Sequence, residues 1–181
     1  MKMKRCWFAV AMILCLLSGC KKEDSMTGEA GFRDDVSSEA LVLSVSAELG
    51  DEYWADMEIA PELLESWYGI SDDMYEEYYG QSPMISANVD TLIVVKAKED
   101  KVSDVKEALD TYRDAMIQDT LQYPSNIPKI QASVIKTYGK YVCFVQLGGS
   151  AVEAEDEETA LTACKEMNEQ ALSVIEGELK K

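Results

Sequence analysis

Two short stretches carry residue types that can do covalent chemistry. Ser103-Asp104-Val105-Lys106 and Ser133-Val134-Ile135-Lys136 both match S-x-x-K, a spacing that sets a lysine amine beside a serine nucleophile on a helix. The companion motifs S-D-N and K-T-G are absent, and "KTYG" at 136–139 is one residue off. Ser103 stands where a helix needs a cap. Ser133 falls in an expected strand, where residues three apart face opposite ways. No histidine occurs among the 181 residues. That removes Ser-His and Cys-His nucleophile pairs, imidazole bases and histidine metal sites. No C-x-x-C is present for a thiolate zinc site.

Carboxylates are abundant, at 34. A glycosidase-type pair needs two of them about 5–10 Å apart across a cleft, and nothing in the sequence singles out such a pair. "EAEDEET", Glu153 to Thr159, offers oxygen ligands for Ca²⁺ but lacks the spaced ligands and glycine of an EF-hand loop. It reads as the start of a helix, which favours anions. No metal site and no cofactor is assigned. Cys143 and Cys164 both fall on expected core faces. They form either a disulfide, if their Cα atoms lie within about 7 Å, or two buried thiols. Tyr53, Trp54, Trp67, Tyr68, Tyr75, Tyr78 and Tyr79 make an aromatic cluster. Trp67, Tyr68, Tyr75, Tyr78 and Tyr79 are the candidate partner-binding residues, since such rings combine large area with a polar tip. The alternative is that they anchor short helices on a sheet.

The elements that must position these residues follow from pattern. "SSEALVLSVSAELG" fits a helix spacing and a strand alternation alike; its Ser-rich acidic start and Gly50 favour a helix. Two short helices are expected next. Pro61 opens one that Gly69 ends, and Ser71 caps another, through "SDDMYEEYYG", that Gly80 ends. Thr91 to Lys98 reads as a buried strand. Ser103 to Thr120 reads as a helix with Val105, Ala108, Leu109, Tyr112 and Met116 on its apolar face, followed by a loop with Pro124 and Pro128. Ile130 to Gly149 reads as a hairpin turning at Gly139-Lys140. Its register puts Ala132, Val134, Cys143, Val145 and Leu147 on one face and pairs Ile135 with Phe144 on the other. Glu157 to Lys181 is a helix burying Ala160, Cys164, Met167, Ala171 and Ile175. The fold class is α+β: N-terminal helices, then β-α-β-β-α, with a small mixed sheet packed by helices.

Residues 1–19 have the three-part layout of a secretory signal: Lys2, Lys4 and Arg5, then apolar Trp7 to Leu17, then small Ser18 and Gly19. The apolar run reaches only about 16 Å as a helix, short of the about 30 Å of a bilayer's hydrocarbon. "LSGC", Leu17 to Cys20, resembles the lipobox of bacterial lipoproteins. That likeness implies cleavage before Cys20 and a diacylglyceryl group on its sulfur, two acyl chains being enough for stable anchoring. Residues 20–33 read as a flexible tether and 34–181 as one domain. Three of the 17 basic residues and none of the acidic ones precede Cys20, which leaves 14 cationic side chains against 34 anionic ones. Such a surface repels nucleic acid.

"WYGISDDMYEEYYGQSPMISANVDTLIVVKAKEDKVSDVKEAL", continued by "VIKTYGKYVCFV", resembles a family of small lipoproteins from Gram-positive anaerobes known as domain of unknown function 4358. The likeness runs roughly from Leu41 to Leu147. It includes the Tyr-Gly-Ile turn, the "SANVD" lead into the strand and the glycine turn of the hairpin. It implies an α+β lipoprotein and lends no catalytic residue. The resulting expectation is a non-enzymatic binding module. Its lipid anchor at Cys20 lies on the cell membrane and its domain faces outside the cytoplasm, where it meets a protein or glycan partner. A small-solute or cation-binding accessory of an envelope system is the alternative, and a carboxylate-dependent envelope hydrolase a weaker one.

Overall fold

A computed structural model describes residues 31–85 and 87–180. The expected signal segment, Cys20 and nearly all of the expected tether lie outside the described residues. Chain order is α1 (Ser38–Leu49), β1 (Met57–Glu58), α2 (Pro61–Tyr68), β2 (Tyr75–Ser82), β3 (Thr91–Ala97), α3 (Val102–Gln118), α4 (Ile127–Ala132), β4 (Val134–Tyr138), β5 (Tyr141–Gln146) and α5 (Glu157–Leu179). The strands form one sheet in the order β1-β2-β3-β5-β4. Every pairing is antiparallel, so the sheet is not the mixed one expected.

The fold is three layers. On one face, Leu41, Val42 and Val45 of α1 and Ala171, Ile175 and Leu179 of α5 pack on Leu92, Val94, Cys143 and Val145. On the other, Leu64 and Tyr68 of α2 and Val105 and Leu109 of α3 pack on Ile93, Val95, Val142 and Phe144. Helices on both faces explain why β5 is buried along its whole length and why "TLIVV" has no polar alternation. The α+β class stands, and 38–49 is helical as its flanks indicate. Ser37 Oγ accepts a hydrogen bond from the Ala40 N–H and Gly50 ends the helix. Gly69, in the left-handed region at φ 72°, ends α2. The hairpin register is as expected, Ile135 facing Phe144 and Val134 facing Val145.

Four expectations change. The stretch "SDDMYEEYYG" is not a second short helix but holds the first six residues of β2. A bulge between Tyr75 and Glu77 sets Tyr75 and Tyr78, three apart, on one face with rings 5.2 Å apart. A bulge adds one residue to one strand, which lends a strand the spacing of a helix. The loop with Pro124 and Pro128 contains α4, started by Pro128 in its first turn, and α4 takes Ile130 and Ala132 out of the hairpin. Ser103 is not a cap, because a single 3-10 turn over Glu99–Lys101 already leads into α3. Phe32 and Arg33 belong to the packed unit rather than the tether: Phe32 stands edge-on to Tyr138, 5.2 Å between ring centres, and the Arg33 N–H donates to Leu179 O.

The chain therefore joins the domain at one end of the sheet, beside the Gly139-Lys140 turn. Residues 83–85 and 87–90 of the connection between β2 and β3 lie at the other end, beyond Gln81–Leu92 and Thr91–Gln146. The seven residues of β3 separate the two ends by about 20 Å at about 3.3 Å per residue.

Candidate functional site

At that far end a charged side chain is fully interior. Lys129 comes from α4, in the apolar stretch "NIPKIQA", and is 1% exposed beside Asp90, which is 0% exposed. Lys129 Nζ donates to Asp90 Oδ2 at 2.7 Å and to Asn88 Oδ1 at 2.9 Å. It also lies 4.9 Å from the ring centre of Trp54, a distance suited to a cation–π contact. Asn88 Oδ1 accepts the Asp90 N–H at 3.2 Å. The Gln146 side-chain amide donates to Val89 O at 2.7 Å. Together these bonds hold residues 88–90 from below.

Gly148 makes room for the lysine stem. A Cβ at this position would lie 2.7 Å from Lys129 Cγ and 2.9 Å from Cys164 Sγ, so no larger residue fits. Asn168 of α5 fixes the neighbouring backbone, accepting the Leu147 N–H and donating to Ala132 O, both at 2.9 Å. Burial raises the pKa of Asp90 above the usual carboxylate range, and the Lys129 ammonium opposes that rise. Both charged groups are buried, and the pair acts as a clamp that ties α4 to Asn88 and Asp90.

Above the clamp the surface opens. Trp54, Asp56, Pro83, Met84, Ile85 and Asn88 line a shallow cleft of about 320 Å³. Met84 is 74% and Ile85 63% exposed. Trp54 belongs to both levels, touching Lys129 below and lining the cleft above. A second shallow cleft of about 320 Å³ lies between the start of α4 and the start of α5, lined by Pro124, Ile127, Pro128 and Ala160 among others.

Residues 49–147 match the family described as Domain of unknown function (DUF4358). The chain belongs to this family. No curated protein and no solved structure matches it. Within the family region fall β1 to β5, the loop 83–90, Lys129, Asp90 and Trp54; most of α1 and all of α5 lie outside it.

The structure scatters the five candidate aromatics of this DUF4358 member. Trp67 is 63% exposed on α2. Tyr68 is core, with its ring 4.4 Å from that of Tyr112, and burial drives its hydroxyl pKa upward. Tyr75 and Tyr78 pack on the α2–α3 face, and Tyr78 donates to Ile59 O at 2.8 Å. Tyr79 packs on the opposite face. They do not form one surface. Cys143 and Cys164 are buried free thiols, and burial pushes them up to about 12 and about 11.

Neither S-x-x-K pair is assembled. Lys106 pairs with Asp110. Ser133 ends α4, donates to Ile130 O and accepts from Arg113 Nε. In the acidic stretch 153–159, Asp156 caps α5 by accepting the Thr159 N–H at 2.8 Å. Among the described residues no group of three or more cysteines or carboxylates could hold a metal ion.

The sequence holds both halves of the clamp without showing that they meet. Asn88 and Asp90 stand in "SANVD", which reads only as a lead into the strand, and Lys129 is a lone cation between Pro128 and Ile130.

Proposed function

We propose that this chain is a lipid-anchored, non-catalytic binding module outside the cytoplasm, tethered through diacylglyceryl-Cys20, and that it meets its partner with the cleft beside Trp54. The anchor and address rest on the sequence of residues 1–22. The binding role rests on one observation: two large apolar side chains, Met84 and Ile85, stand in solvent on a loop pinned by a fully buried ion pair. Exposed apolar patches on soluble domains mark interaction sites. A buried ion pair adds little net stability but fixes register, which suits a loop that must hold Met84 and Ile85 in place. The cleft also lies at the end of the sheet remote from Phe32, so a tethered domain presents it away from the bilayer.

The test is site-specific photocrosslinking on membranes of the producing cell. A photoreactive residue at position 85 is expected to capture one discrete envelope component. The same residue at position 117, where Ile117 is also exposed, is expected to capture none. No adduct at 85, or the same adducts at both positions, overturns the assignment of the cleft.

A further inference from the structure

Charge is segregated along this chain. Residues 34–95 contain 15 acidic side chains and no lysine or arginine. That run builds α1, β1, α2, β2 and the first five residues of β3, and every residue lining the cleft belongs to it. Asp51, Glu52, Asp56 and Glu58 stand exposed on the segment that carries Trp54. The cation that the structure sets against Trp54, Lys129, is buried and already matched by Asp90. Glu52 stays anionic more firmly than a free carboxylate: the Ser150 hydroxyl and N–H donate to its Oε2 at 2.6 and 2.8 Å, lowering its pKa.

We infer that the cleft receives a basic and apolar segment of a partner protein, with aliphatic side chains against Met84, Ile85 and Pro83 and a lysine or arginine directed at Asp56 and Trp54. This rests on the binding reading above and names its partner's chemistry. The apolar part follows from the two exposed side chains. The cationic part follows from the exposed carboxylates of Asp51, Glu52, Asp56 and Glu58 in and beside the cleft, whose field steers positive partners and repels anionic lipid or nucleic acid. At about 320 Å³ the cleft is at the small end of the about 300–1,000 Å³ typical of ligand sites, and its shallowness suits side chains of a peptide rather than an enclosed small molecule. Exposed Met57 on the edge strand β1, paired with Ser82 next to Pro83, continues the apolar surface.

The experiment uses the mature lipoprotein in zwitterionic nanodiscs, with Trp67→Phe so that Trp54 reports alone. The probes are an acetylated, amidated hexapeptide alternating leucine and lysine, and its counterpart with glutamine for lysine; empty nanodiscs give the background. The lysine peptide is expected to shift Trp54 fluorescence and to bind at least about fivefold tighter than the glutamine peptide, a coupling of about 1 kcal/mol. Asp56→Asn is expected to shrink that ratio, and added salt to weaken the lysine peptide selectively. Equal binding of the two peptides, or no binding by either, overturns the inference. If position 85 still crosslinks one envelope component in that case, the binding module stands with a partner of other chemistry; if it does not, both fall.

Discussion

Replacing Lys129 with methionine keeps an unbranched stem against Gly148 and removes the ammonium. Asp90 is then a buried carboxylate without its partner. Breaking one half of such a pair costs about 3–5 kcal/mol, and urea denaturation should register a loss of that order. The double variant Lys129→Met with Asp90→Asn should recover part of it. The pH response has a defined sign. Asp90 has a folded pKa above its ordinary 3.8, so its contribution to stability is full below that value and declines as pH rises through the folded one. Without the ammonium the folded value climbs, and the decline extends to higher pH. A single variant that matches the wild type in stability and pH profile would show that the pair fixes nothing.

At the scale of the element, β2 shows why pattern reading failed where it did. Helical spacing and strand alternation are told apart by where apolar residues recur. The bulge at Glu76 inserts one residue and so turns a strand's period of two into a step of three between Tyr75 and Tyr78. Elsewhere local signals and packing agreed. Pro61 and Gly69 bound α2, and the Gly139-Lys140 turn fixed the register that pairs Ile135 with Phe144. The clamp could not be read from pattern because its halves lie 39 residues apart and meet only when α4, hidden in an apparent proline loop, folds under the sheet end. Gly80 carries a related message. It was expected to stop a helix, yet it sits inside β2, where an added Cβ would meet Ile93 Cγ1 at 3.1 Å and Ile59 Cδ1 at 3.2 Å. Gly80→Ala should therefore lower stability by about 1 kcal/mol, the cost of overpacking exceeding the about 0.5–1 kcal/mol that alanine gains over glycine in a strand, measured as a reduced denaturation midpoint with unchanged slope. Stabilisation by this substitution would show that the neighbouring isoleucines move aside freely.

For the whole molecule, topology gives the domain two distinct ends. The chain joins at Phe32, against Tyr138 and the end of α5. The acidic, apolar-tipped cleft lies across the sheet from it. Under the proposed anchoring, about a dozen residues between Cys20 and Phe32 would reach roughly 40 Å if fully extended, enough to hold the domain clear of the headgroups and to leave the proposed cleft free for a partner. All of this presumes attachment at Cys20, on which anchoring, address and presentation of the cleft depend together. Mass spectrometry of the protein isolated from its own membranes tests that directly. The predicted result is an amino-terminal peptide that begins at Cys20 and carries the mass of a diacylglyceryl group. A peptide that retains Met1 to Gly19, or an unmodified Cys20, would contradict it.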